Sequence, residues 1–211
     1  MMNLAEYRRT ATRLADFLPW AALVGEGVVL NKDGSFQRTA RFRGPDLDSA
    51  VAAELVAVAS RLNNAFRRLG SGWAIFVEAQ RHEAASYPTS RFADAASALV
   101  DAERKADFEE AGAHYESSYF LTFLYLPPAE DAARAETWLY EGRQQSGVDP
   151  HEALVAFIDR TNRVLHLVDG FMPECCWLDD AETLTYLNAT VSTMRHRVRV
   201  PETPIYLDAL L

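Results

Sequence analysis

Cysteine is almost missing from this 211-residue sequence: Cys175 and Cys176 are neighbours, and adjacent cysteines cannot form a disulfide framework. A reducing, cytoplasmic setting is the expectation. No Gly-Lys pair occurs anywhere, which excludes a phosphate-binding loop of the Gly-x-x-x-x-Gly-Lys-Ser/Thr kind. Gly-x-Ser-x-Gly is also missing, so no hydrolase elbow is indicated. Long apolar runs are lacking too. The best stretch, Phe17 to Val24, is far shorter than a bilayer span, and Glu6 stands where a secretory leader would be basic. Cations are in deficit, 21 Lys plus Arg against 30 Asp plus Glu, for a net charge of −9 and a pI near 5.0. A broad grip on duplex nucleic acid needs the opposite sign, so no direct nucleic-acid partner is expected.

What is present is apolar mass. At 49% hydrophobic residues the chain can bury a sizeable core as one large domain. Charge is uneven: residues 1–44 carry a net +3, 45–115 a net −4, 116–185 a net −9 and the last 26 a net +1. An acidic middle between mildly basic ends predicts an oriented molecule.

The first 24 residues read as helical, with Leu4, Tyr7, Ala11, Leu14 and Phe17 at helix spacing before Pro19 interrupts. A hairpin follows, Gly27–Leu30 turning through Asn31-Lys32-Asp33-Gly34 into Ser35–Arg43. On its return strand Gln37, Thr39, Arg41 and Arg43 are assigned to a wet face, and Phe36, Ala40 and Phe42 to a dry one, with Arg38 the exception. Val51, Leu55, Val58, Leu62, Phe66 and Leu69 predict one face of a helix that Gly70 stops. Trp73–Gln80 reads as a strand, 81–91 as a polar loop, 92–112 as a helix, and Ser117–Leu126, apolar on both faces, as a central strand. A charged helix or loop at 130–147 precedes a helix that opens at Asp149-Pro150 and closes at Gly170. A helix over 180–194 and a strand from Arg195, broken at Pro201 and Pro204, complete the order. That order predicts an α+β domain with helices packed on one face of a mostly antiparallel sheet.

Candidate chemistry is sparse. His151-Glu152 begins like a zinc-protease motif, but Val155 replaces the second ligand, so the pair reads as a helix first turn. Cys175 and Cys176 with His166 fall short of a metal site and read as structural thiols. Glu109-Glu110, Glu130-Asp131 and Asp179-Asp180 diverge where a general acid/base pair must converge, and Asp179 or Asp180 serves as a helix cap. His114 with Glu116 is the one pairing that would support a rival reading, a stand-alone carboxylate/histidine hydrolase. Arg195, Arg197 and Arg199 would project from one side of a strand, either as a docking stripe for an anionic surface or as a charged edge. Phe17 and Trp20 either face a partner or pack on the core. These five residues are the candidate partner-binding set; no catalytic, cofactor or metal residue is assigned.

Several separated stretches carry a resemblance. They are Met2-Asn3-Leu4-Ala5-Glu6-Tyr7-Arg8-Arg9, the hairpin Gly27 to Phe36, Phe42-Arg43-Gly44-Pro45-Asp46, Arg61-Leu62-Asn63-Asn64-Ala65, Gly72 to Ala79 and Tyr119-Phe120-Leu121-Thr122-Phe123. Together they resemble the N-terminal domain of the TrbE/CagE family of type IV secretion ATPases, which serve conjugal transfer. The resemblance spans essentially all 211 residues. It implies that residues 1–194 form an N-terminal α+β domain, with 195–211 starting the connection to a RecA-like ATPase domain outside this sequence. The apolar final residues, Tyr206 to Leu211, likewise read as the opening of a further element. ATP and Mg are then expected only in that other domain, with no cofactor in this one. The implied role is a non-catalytic docking and assembly domain at the cytoplasmic face of the inner membrane. Its implied partners are inner-membrane channel components and other copies within a hexamer of the full-length protein.

Overall fold

A computed structural model describes residues 13–84, 87–112, 114–127, 150–194, 196–203 and 205–210. In chain order the elements are α1 (Leu14–Phe17), β1 (Trp20–Gly25), β2 (Val28–Asn31), β3 (Phe36–Arg43), α2 (Ala52–Phe66), β4 (Trp73–Glu83), α3 (Ala95–Glu110), β5 (Tyr115–Tyr125), α4 (Pro150–Asp169), β6 (Glu174–Trp177), α5 (Asp180–Val191) and α6 (Leu207–Leu210). The strands form one antiparallel sheet in the order β1-β2-β3-β5-β4, with β6 paired to β3 beyond the end of β2. The class is α+β, as the element order predicts.

The β2–β3 turn forms where Asp-Gly places it. Gly34 takes φ +83°, and Asp33 Oδ1 accepts from the Ser35 amide at 2.9 Å. The helical expectation fails over 20–24. Pro19 ends α1, and the apolar residues after it pair with β2 as a strand instead of continuing the helix. The tail from 196 has no strand among its described residues. Its Val198 amide donates to Thr185 Oγ1 at 3.0 Å, so a side chain of α5 takes the bond a neighbouring strand would have made. The described tail nonetheless packs on the body: Val198 and Leu207 are buried, and Lys32 Nζ meets Asp208 at 2.8 Å.

Helices cover both faces of the sheet rather than one. Adjacent strand residues point to opposite faces, and Leu121 and Phe123 lie against Val164, Leu165 and Val168 of α4 and Ala65 of α2. Phe120, the residue before Leu121, lies with Leu184, Tyr186 and Leu187 of α5 and with Trp20 and Leu207. Thr39 belongs to this second side and is buried beneath α5, so the predicted wet face of β3 is wet only at Arg41 and Arg43. Near β2 a third group, Val28, Leu30 and Phe36 with Leu154 and Phe157, completes the α4 side.

The β4–β5 ribbon outruns the body. β3 pairs with β5 only from Tyr119 to Tyr125, whereas β4 follows β5 out to Tyr115. At its far end the ribbon carries α3, in which no residue is buried.

Candidate functional site

A cleft of about 440 Å³ opens on the α5 side, lined among others by Arg41, Gln80, Glu182, Tyr186, His196 and Arg197. Its acids are engaged. Asp179 Oδ1 accepts from the Glu182 amide at 2.7 Å, and Glu182 Oε2 accepts from the Asp179 amide at 3.2 Å, a reciprocal cap for the first turn of α5. The other oxygen of Glu182 faces Arg41 at 3.6 Å. Asp180 accepts from the Gly27 amide at 2.7 Å and ties α5 to the β1–β2 turn. The expected capping role of Asp179 is therefore observed.

Beneath the cleft runs a chain of hydroxyls. Tyr186 Oη donates its only proton to Glu78 Oε2 at 2.8 Å. Its 3.3 Å contact with Thr122 must then be one that Tyr186 accepts, and Thr122 in turn accepts from Thr39 at 2.9 Å. Burial pushes the Tyr186 phenol up to about 12, so it stays neutral and the chain keeps its direction. Three strands and α5 are thereby joined by polar contacts. Sequence reasoning missed this chain. The one available signal was the pair of hydroxyl residues, Thr39 and Thr122, in otherwise apolar stretches.

The structure divides the five candidate partner residues. Phe17 is 69% exposed, while Trp20 is 7% exposed and packs in the α5-side core, which removes Trp20 from any free docking surface. Arg195 lies outside the described residues. Arg197 lines the cleft and Arg199 is exposed, and neither lies in a strand. His151 and Glu152 stand in the first turn of α4, and His166 in its last. Burial pushes the Cys175 thiol up to about 11, with the Asp169 charge adding to the shift, while Cys176 is exposed beside Arg41. Among the described residues no group of three or more His, Cys, Asp and Glu gathers as if around a metal ion. His114 does not meet Glu116. Its ring stacks on Phe108 at 3.9 Å and bonds the Phe108 carbonyl, and Glu116 approaches His82 at 3.7 Å instead. The pairing behind the hydrolase reading is thus not assembled.

Exposed apolar groups are the more prominent feature. Leu62, Ala65 and Phe66 at the C-terminal end of α2 pack on the sheet with Leu69 just beyond it; Val51 and Leu55, expected on the same buried stripe, lie in the open with Val56. Val77 on β4 is 68% exposed and its neighbour Phe76 is also at the surface. On α3, Leu99 is 64% and Val100 52% exposed. Patches of this kind, rimmed by charge, mark interaction surfaces. No helix among the described residues is long and apolar enough to cross a membrane.

The family described as type IV secretion system ATPase VirB4/TrbE, N-terminal domain, matches residues 27–133. A conjugal transfer protein TrbE of Rhizobium radiobacter is 32% identical over 228 aligned positions, which take in all of this chain but 28% of that protein. The first part of a probable conjugal transfer protein TrbE of Sinorhizobium fredii (strain NBRC 101917 / NGR234) is 41% identical over 130 positions, 60% of this chain and 87% of that protein.

Proposed function

The chain belongs to the VirB4/TrbE family of type IV secretion ATPases, matching its N-terminal domain, and from that premise we propose that it is the non-catalytic docking module of a conjugal-transfer motor. Its work is to hold the motor against inner-membrane components of the channel and against neighbouring copies in a hexamer. ATP and Mg are handled elsewhere in the longer protein, and nucleic acid is not gripped by this part. The module then lies at the cytoplasmic face of the inner membrane through its partners. The observation that carries this reading is the spread of large apolar side chains left in the open on α2, β4 and α3. Their exposure costs free energy that a partner surface recovers.

The test is membrane co-sedimentation of the chain from cells with and without the inner-membrane components of the transfer system, together with calorimetry against ATP. Sedimentation only when those components are present, and no heat of nucleotide binding, are expected. Sedimentation independent of them, or none at all, overturns the docking role. ATP turnover lost on a single substitution within these residues overturns the non-catalytic one.

A further inference from the structure

The β4–β5 ribbon and α3 form a projection that the rest of the fold does not explain. α3 has sixteen residues, none buried, and a lone helix of that length is marginal in water. What holds it is local. Asp94 caps its first turn, Tyr87 Oη donates to Asp101 at 2.8 Å, and the Tyr87, Phe108 and His114 rings pack at its far end. Phe92, Leu99 and Val100 are left exposed, and Phe92, Ala96, Val100 and Arg104 line a shallow cleft of about 360 Å³. Charge around these groups is one-sided. Residues 87–116 contain seven acidic side chains against Arg91, Arg104 and Lys105, and Lys105 is partly engaged by Glu109 at 3.8 Å.

Resting on the docking role proposed above, we infer that α3 and its ribbon seat a cationic cytoplasmic segment that adjoins a membrane span of an inner-membrane protein. The surface asks for two things together, positive charge and apolar side chains. Segments flanking membrane spans on the cytoplasmic side supply both, being rich in Lys and Arg and continuous with an apolar stretch. Anionic lipid and nucleic acid carry the wrong sign. A second copy of this chain, itself at −9, meets the acidic helix with net repulsion.

The test places a photo-crosslinking residue at Leu99, with Ala53 on α2 as the comparison site, in the full chain within cells carrying the complete transfer apparatus. The expected adduct at 99 joins a peptide in a Lys/Arg-rich stretch beside a membrane span, identified by mass spectrometry. In a Glu103→Lys, Asp107→Lys, Glu110→Lys variant its yield should fall about tenfold. Lysine is a good helix former and suits a helix C-terminus, so the variant should keep its circular dichroism and melting midpoint. An adduct with a second copy, with lipid or with nothing overturns the inference, as does a yield the three lysines leave unchanged. If the chain still sediments with membranes in a partner-dependent way, the docking role survives and this surface fails; if that is lost as well, both fall.

Discussion

The guanidinium of Arg38 lies 4.1 Å above the ring of Trp177, and one acceptor serves both: Asn162 Oδ1 is 2.8 Å from Arg38 Nη1 and 2.8 Å from Trp177 Nε1. β3, β6 and α4 meet at this point. Arg38 is the buried exception in the dry face of β3. Loss of water pulls it down to about 10 against the opposing pull of Glu26, and its Nε has no partner. A cation held this way is costly to bury, and its neighbours reduce that cost by stacking and by a shared carbonyl.

The first prediction follows from that asymmetry. Asn162→Leu takes the shared acceptor from a part-buried guanidinium and a more exposed indole N–H, and should destabilise the domain by about 1–2 kcal/mol in urea unfolding. Arg38→Met removes the charge along with its unpaired Nε, fills similar volume, and should cost about 1 kcal/mol or less. Equal losses in the two variants would contradict the picture of an acceptor that matters more than the cation it serves.

Two glycines separate backbone strain from packing. Gly27 has φ +64°, its amide donates to Asp180, and a Cβ there would clash with the Leu178 carbonyl oxygen. Gly70 has φ +76° with open space around it. Gly70→Ala should therefore cost about 1 kcal/mol, the conformational penalty alone. Gly27→Ala should cost about 3 kcal/mol or more, because the turn must move away from the start of α5. Thermal melting of the two variants checks the difference.

Local signals made the hairpin, the long strands and most helices legible. Asp33-Gly34 forces its turn, and Pro150 opens α4 whatever lies around it. The errors arose where tertiary contacts decide. Trp20 to Val24 has helix-compatible spacing, but pairing with β2 makes it a strand. Glu174–Trp177 is too short to signal itself and exists because β3 extends beyond β2. Val51 and Leu55 belong to a correct helical stripe, yet the body ends before it reaches them. The family was legible from separated motifs. The surfaces that matter for docking were not, because exposure depends on what the rest of the chain leaves uncovered.

Tyr186 supplies a pH prediction. Its phenol titrates near 12 in the folded protein against 10.0 ordinarily, chiefly through burial. Between those values the folded state holds the proton that the unfolded state has lost, so this contribution is whole below about pH 10 and disappears as pH rises toward 12. The slope of stability against pH in that window should be steeper in the parent than in Tyr186→Phe. Near neutrality the same variant should lose about 1–2 kcal/mol, since Thr122 and Glu78 lose their partner. Denaturant titrations over both ranges measure each effect.

The adjacent cysteines should behave as strangers. Cys176 is exposed, while Cys175 is half-buried with its thiol pushed up to about 11. At mildly alkaline pH iodoacetamide should label Cys176 and leave Cys175 largely untouched until denaturant is added. Peptide mapping that found equal labelling of the native protein would contradict the register of β6 on β3.

Proline can read the register of the outer ribbon. Beyond the two ends of the β4–β5 ladder, the Ala84 amide donates to the His114 carbonyl at 2.7 Å and the Leu126 amide to the Gly72 carbonyl at 2.8 Å. Both contacts keep the pairing of Trp73 with Tyr125. Hydrogen-bonded pairs alternate along an antiparallel ladder, so the even-numbered residues of β4 turn their amides toward β5 and the odd-numbered ones toward the free edge. Proline lacks an amide proton and is tolerated in a sheet only where that proton faces outward. Ala79→Pro should consequently cost about 1 kcal/mol, whereas Gln80→Pro, one residue away, should remove a ladder bond and cost about 3 kcal/mol. The reverse order in chemical denaturation would mean that β4 is shifted by one residue, which would also exchange Phe76 and Val77 between the two faces of the sheet.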